Sequence, residues 1–322
     1  MAAIFIIIAG LKIAQPVLVP VFVAVFLAVL TSPVVSFLVK IKVPSSIAIA
    51  IVVMGLFGFF YGLGSLLATS TDDFINNLPG YQQQIQDWLV TIQTKAPWLI
   101  DHARLQFNSF QPTERALSIV RVLFSGVGSI LTTLVLVVFT LIFTLLEAQH
   151  ASRKVRIIFG DDHTIIYVKK FSALVQKYLL VKSLVSVATG TLISLLLYIA
   201  GIDYPILWGT LAFLMNFIPN IGSLLAAVPP VILSGIQFGF PGFLITSLGY
   251  IAINTIIGNL IEPKLMGKTL DISPLVVFLS LLFWGWIFGP IGMLLSIPLT
   301  VVVKIGLEVY PPTKWVAELI SQ

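Results

Sequence analysis

The sequence predicts an all-α integral membrane protein, and three observations carry that reading. Hydrophobic residues make up 58% of the 322-residue chain and charged residues 10%, with a mean hydropathy of +1.07. That is too little charge to cover a water-soluble domain of this length. Apolar runs long enough to cross a bilayer recur along the whole chain, which excludes a signal peptide followed by a soluble domain. Two apolar stretches towards the C-terminus, Pro205–Ile236 and Ser273–Lys304, are each broken midway by proline and glycine, as discontinuous membrane segments are.

The elements follow in order. Ala3–Gln15 is apolar but short and carries Lys12, so it reads as a clipped first span. Pro16–Val39, Ile47–Ala68, Leu123–Leu146, Ser183–Ala200 and Phe243–Leu260 are full spans. The expectation is about six full spans plus two broken segments, or eight spans if the broken segments cross completely. The implied organisation is N-terminal spans (1–68), an extracytoplasmic amphipathic helical segment (69–121), and a span with a basic cytoplasmic helical segment (122–182). A transport core with both breaks (183–304) and a cytoplasmic tail (305–322) complete it.

Basic residues orient these spans. Lys40 and Lys42 occupy the short turn after the second span, and Arg153, Lys154, Arg156, Lys169, Lys170, Lys177 and Lys182 lie in 147–182. Positive charge collects on the cytoplasmic side, so the N-terminus, these loops and the C-terminus are expected there. The net charge of +5 then reflects topology rather than nucleic-acid binding.

In the polar segments, Tyr81, Ile85, Trp88, Leu89 and Ile92 share a helical face that must be buried somewhere, with Pro79-Gly80 expected to start the helix and Pro97 to limit it. Ile165–Leu180 sets Tyr167, Phe171, Leu174, Val175 and Tyr178 on one face. That spacing predicts a membrane-surface helix leading into the next span.

The two breaks resemble one another. Phe217-Ile-Pro-Asn-Ile-Gly222 and Phe288-Gly-Pro-Ile-Gly292 are each followed by a leucine pair and a further proline. As one straight helix, Pro205–Ile236 would be about 48 Å long, against a hydrocarbon core of about 30 Å. Folded at Pro219 it gives two arms of about 22 Å, suited to a re-entrant hairpin. The second stretch divides the same way at Gly289-Pro290. With hairpins, Lys264 and Lys268 fall on the cytoplasmic side, and the two halves form an inverted repeat.

Backbone freed by such a break cannot face lipid and must line protein or a wet cavity. Asn216, Asn220, Asn254 and Asn259 are the expected polar lining, although such amides also serve as hydrogen bonds between helices. Glu262 is read two ways, as a ligand group or as the ion-pair partner of a nearby lysine. Pro219, Gly222, Gly289, Pro290 and Gly292 are expected to set geometry. Asp203 reads as a solvated turn residue.

No enzyme is expected, since no metal-ligand, nucleophile or nucleotide-binding motif is present. The chain holds no cysteine, and no cofactor or metal is expected. The residues alone favour a secondary transporter or facilitator working between the two breaks, with a membrane scaffold or assembly protein as the alternative from another class.

The run Glu262-Pro-Lys-Leu-Met-Gly267, with Leu270, Ser273-Pro274, Leu281-Leu-Phe-Trp-Gly-Trp286 and Gly289-Pro-Ile-Gly292 through Pro298, resembles the signature of the autoinducer-2 exporter family, also called PerM-like permeases. Phe217-Ile-Pro-Asn-Ile-Gly222 is similar to that family's other hallmark. The resemblance covers essentially the whole chain. It implies a bacterial or archaeal inner-membrane permease that exports a small polar solute such as autoinducer-2 without ATP hydrolysis. Monovalent cation/proton antiport is the alternative that the family offers. Membrane lipid and further copies of the chain are the expected partners.

Overall fold

The computed structural model describes residues 2–95, 135–148, 162–219, 221–266, 272–309 and 311–321. Every regular element among them is helical. Among the described residues, five helices are long and apolar enough to cross a membrane. Large apolar side chains on the outside, such as Phe139, Phe143 and Leu248, fit a multi-pass protein whose solvent is lipid.

The chain opens with α1 (Ala2–Ile13) and α2 (Gln15–Lys40). A tight turn with Lys42 in the left-handed region (φ 69°) leads into α3 (Ser45–Lys95). At 51 residues, α3 is about 76 Å long and must project well beyond a bilayer. Helix α4 (Val135–Ala148) packs Val137, Leu141 and Leu145 against α2 and α3 through Ala24, Leu27, Ala48 and Ile49. The remainder of the expected span Leu123–Leu146 lies outside the described residues.

One expected boundary in α3 is not there. The helix runs through Pro79 without a break. Proline removes one helical hydrogen bond, but Phe74, Leu78 and Tyr81 around it are buried against Trp208, Leu207 and Leu211. That packing holds the turn that local sequence would end. The amphipathic face is thus covered, at Tyr81, by the protein's own core; the side chains of Trp88, Leu89 and Ile92 lie outside the described residues.

Helix α5 (Asp162–Ile199) joins the expected surface helix to the next span without interruption. Val175, Tyr178 and Leu179 pack against Ile272, Ile297 and Val301, so Val175 and Tyr178 of the expected face meet protein where lipid was expected; the side chains of Tyr167 and Phe171 lie outside the described residues. The turn Gly201–Tyr204 then reverses the chain into α6 (Pro205–Met215). α6 lies so close on α5 that a Cβ on Gly190 would stand 2.7 Å from the Gly209 carbonyl oxygen, an approach only small residues permit.

The first broken stretch is a hairpin. α6 ends before Pro219, and α7 (Ile221–Asn254) returns beside it. Asp203, just before α6, accepts from Gln237 Nε2, and its own N–H donates to Gln237 Oε1 at 3.3 Å. The two arms therefore open at the same end of the bundle. Tyr81 OH donates to Asp203 at 2.6 Å, which ties α3 to that end. Asp203, expected to be a solvated turn residue, is exposed but held by the side chains of Gln237, Tyr81 and Trp208, whose Nε1 donates to its carbonyl at 3.1 Å.

The second broken stretch also folds back, in α9 (Pro274–Leu294) and α10 (Ser296–Val309). Trp284 Nε1 donates to Thr300 Oγ1 across the two arms at 3.0 Å. Its open end is tied at Ser273, whose N–H donates to the Ile320 carbonyl at 3.1 Å in α11 (Lys314–Ile320). Between the two stretches α7 reverses once more at Gly239 and continues through a π-helical turn, Thr255–Ile261, into α8 (Glu262–Met266).

The expected pairing of the breaks needs correction. Gly289 (φ 68°, ψ −152°) matches Gly239 (φ 65°, ψ −152°), a conformation essentially restricted to glycine. Both lie in Gly-x-x-Phe-Gly-x-x-Gly, at 235–242 and 285–292. The turn at Pro219 is of a different, longer kind. Where Gln237–Gly242 reads as a loop between the first hairpin and the next span, the helix instead turns at Gly239 alone, because a single glycine with positive φ turns a helix back without a loop.

The glycines that follow the three reversals share a role. A Cβ on Gly222 would lie 1.7 Å from the Met215 carbonyl oxygen, on Gly242 2.4 Å from that of Ser234, and on Gly292 2.0 Å from that of Trp284. Each seats the outgoing arm on the backbone of the incoming one.

Candidate functional site

The site grows from the first reversal. Pro219 has no N–H for the Met215 carbonyl, so that oxygen accepts from Ile218 N–H at 2.9 Å instead, and Gly222 N–H closes onto Ile218 O at 3.3 Å. The tip that results carries Asn216, whose Nδ2 donates to Ser186 Oγ of α5 at 3.0 Å. Phe217 rests on Phe26 of α2 with ring centroids 6.5 Å apart.

Beside this tip lies a cavity of about 660 Å³. One wall is the first arm of α7, at Ser223, Ala227 and Val231. Facing it is the arm after Gly239, at Ser247, Tyr250 and Asn254, followed by Thr255, Gly258 and Asn259 of the π turn. Adding a residue per turn re-aims side chains and is frequent at functional sites; here the widened turn contributes Thr255, Gly258 and Asn259 to the lining. α5 closes the end with Tyr178 and Lys182.

The electrostatic centre of the cavity is an ion pair. Lys182 Nζ donates to Glu262 Oε1 at 2.7 Å, with the two side chains only 7% and 16% exposed. One turn earlier on α5, Lys177 Nζ donates to the Met266 carbonyl at 3.1 Å. These two links bind α5 to the segment that follows the π turn.

Of the residues expected from sequence, Asn216, Pro219, Asn254, Asn259 and Glu262 line this one cavity. Asn220 lies outside the described residues. Gly222 supports the tip from behind. Gly289, Pro290 and Gly292 lie at the other reversal and are absent from the lining, to which the second hairpin contributes Ile297. The cavity therefore lies between the first hairpin and the arm that follows it, not between the two breaks as expected. Glu262 has its lysine partner, but that partner is Lys182 and not the adjacent Lys264.

Lys182, Tyr178, Ser223, Ser247 and Tyr250 were missed. A signal for Lys182 existed. Tyr178, Lys182, Ser186 and Thr189 recur at helical spacing, and all four are buried, so the lysine sits on the packed stripe of α5 rather than on a solvated face. Among the described residues there is no cluster of His, Cys, Asp or Glu able to hold a metal.

Comparison with known proteins adds to this geometry. Residues 1–312 match the family described as AI-2E family transporter. A Haemophilus influenzae protein, named as an inferred transport protein, is 38% identical over 97% of this chain and 92% of its own length. The AI-2 transport protein TqsA of Escherichia coli K12 is 33% identical over 98% of this chain and 92% of its own. YhhT of the same strain, also named as an inferred transport protein, is 33% identical over 96% and 89%.

Proposed function

As the chain belongs to the AI-2E transporter family, we propose that it is a secondary transporter exporting a small polar solute across a bacterial cytoplasmic membrane without ATP hydrolysis. The cavity at the Pro219 reversal is the solute site, with Asn216, Asn254, Asn259 and Glu262 as its polar lining. The observation that carries this is the convergence of a broken helix, a π turn and a buried ion pair on one cavity of about 660 Å³. Polar groups and irregular backbone at membrane depth are tolerated where they line such a cavity.

The name of TqsA makes autoinducer-2 the first solute to try. Positive charge at Lys40 and Lys42 supports cytoplasmic termini. The exposed apolar and polar residues along the open side of the cavity, Leu224 and Ile251 with Thr255 and Asn259, fit a homo-oligomer in which a neighbouring subunit shields them.

Gly258 provides the test. It lines the cavity, and a Cβ there meets nothing within 4 Å. In Gly258→Trp the Cβ meets no backbone, and the indole it carries takes up space a solute needs. In proteoliposomes it abolishes autoinducer-2 flux, while Gly258→Ala retains it. Undiminished flux through Gly258→Trp would place the path elsewhere.

A further inference from the structure

We infer that the Lys182–Glu262 pair is a recognition site for a zwitterionic solute, one carrying an ammonium and a carboxylate in the manner of an amino acid. This rests on the transport reading above and names a cargo class for the same cavity.

The pair does not account for itself through stability. Replacing a buried ion pair by apolar residues is often neutral or stabilising, because desolvation offsets the attraction between the charges. Ionisable groups at membrane depth are, by contrast, the usual marks of a ligand pathway. Both members line the cavity, and they are the only charged residues in its described lining. The cavity is therefore net neutral, and a net-charged solute would leave one charge unbalanced in a poorly solvated space.

The geometry selects further. Lys182 Nζ has three hydrogens and uses one on Glu262 Oε1. Glu262 keeps its second oxygen, and neither group has another side-chain partner among the described residues. Two unlike charges thus stand side by side, one hydrogen bond apart, each with bonding capacity left. An α-amino acid presents its own two charges at a similar separation. Its carboxylate set against Lys182 and its ammonium against Glu262 complete a ring of four alternating charges. The protein pair stays intact and the cavity stays neutral. Charge-assisted hydrogen bonds close three sides, and the ligand's own Cα skeleton closes the fourth. Asn254 and Asn259 line the same space and are placed to bond a polar side chain.

The test is binding of L-serine, its net-cationic amide and neutral ribitol by isothermal titration of the full chain in nanodiscs, with uptake of each into proteoliposomes. L-serine binds and is moved, and the amide binds about tenfold more weakly or worse. Lys182→Met alone leaves a buried carboxylate uncompensated and can fail to fold, so two double variants decide. The neutral K182M/E262Q loses L-serine affinity by about tenfold or more. The exchanged K182E/E262K retains it, because the ligand can turn round on a pair of opposite polarity. L-serine binding that survives neutralisation overturns the inference. If the vesicles move autoinducer-2 or ribitol but not L-serine, the cavity transports and only the zwitterion assignment falls. If they move nothing, the transport reading falls with it.

Discussion

Gly222→Ala tests whether the first reversal holds the site. The added Cβ stands 1.7 Å from the Met215 carbonyl oxygen, where real contacts do not fall below 3.0 Å. The arms must therefore separate by about 1.3 Å at the tip. The obstacle is backbone, so no side chain can swing aside. That same oxygen accepts the Ile218 N–H that closes the turn, so moving it strains the bond that replaces the one lost to Pro219. Overpacking of this kind costs about 1–3 kcal/mol, and a weakened backbone hydrogen bond adds about 1 kcal/mol. The displaced tip carries Asn216 and Pro219, both in the cavity lining. Purified Gly222→Ala should melt below the parent in detergent and bind solute more weakly. Gly55→Ala, where a Cβ meets nothing within 4 Å, is the matched control. If the two variants melt together and transport alike, the close seating of Gly222 on Met215 is not what positions the site.

Three further outcomes follow from the same geometry. Gly239→Ala and Gly289→Ala place a side chain in a glycine-only conformation and should each destabilise by about 1–3 kcal/mol, measured as loss of melting temperature; a neutral result at both would show that the corners relax freely. Tyr81→Phe removes the hydroxyl that donates to Asp203 and should cost about 0.5–1.5 kcal/mol, with faster proteolysis of α3 beyond Pro79 as the readout. The chain has no native cysteine, so Phe240→Cys and Lys264→Cys can be labelled one at a time in intact cells with an impermeant reagent. Phe240→Cys, beside the Gly239 corner, should react from outside and Lys264→Cys only after permeabilisation, and the reverse pattern would sink the topology.

How much of this was legible in the chain depended on the range of the interaction. Spans and their helical character follow from hydropathy alone, and the Pro219 break follows from a missing donor, so both are visible locally. The corner at Gly239 was hidden because Gln237–Gly242 reads as an ordinary loop; that the helices run right up to one glycine is a matter of φ and ψ. Pro79 misled for the opposite reason, since the bond it removes is outweighed by burial of Phe74, Leu78 and Tyr81 on a partner more than a hundred residues away. The Lys182–Glu262 pair lies 80 residues apart in sequence. Its lysine stood in a basic run read as setting topology, and only its helical spacing with Tyr178, Ser186 and Thr189 set it apart before folding.

The two breaks that look alike in sequence differ in chemistry, and the difference explains where the cavity forms. At Gly239 and Gly289 one residue reverses the chain, and helix continues on either side. The corners are dressed with apolar rings: Phe240 beside the first, and Phe288, which packs on Phe22 with ring centroids 5.4 Å apart, beside the second. At Pro219 the chain leaves helical geometry from Asn216 onward, and the Phe217 and Ile218 N–H groups bond to carbonyls only three residues back, at 3.4 and 2.9 Å. Irregular backbone of this kind is tolerated at membrane depth where it is buried in protein or lines a wet cavity. That tip must therefore be surrounded by polar groups, and Ser186, Asn216, the π turn and the Lys182–Glu262 pair are gathered around it. Glycine reversals shape the bundle, whereas the proline reversal obliges it to keep a polar interior.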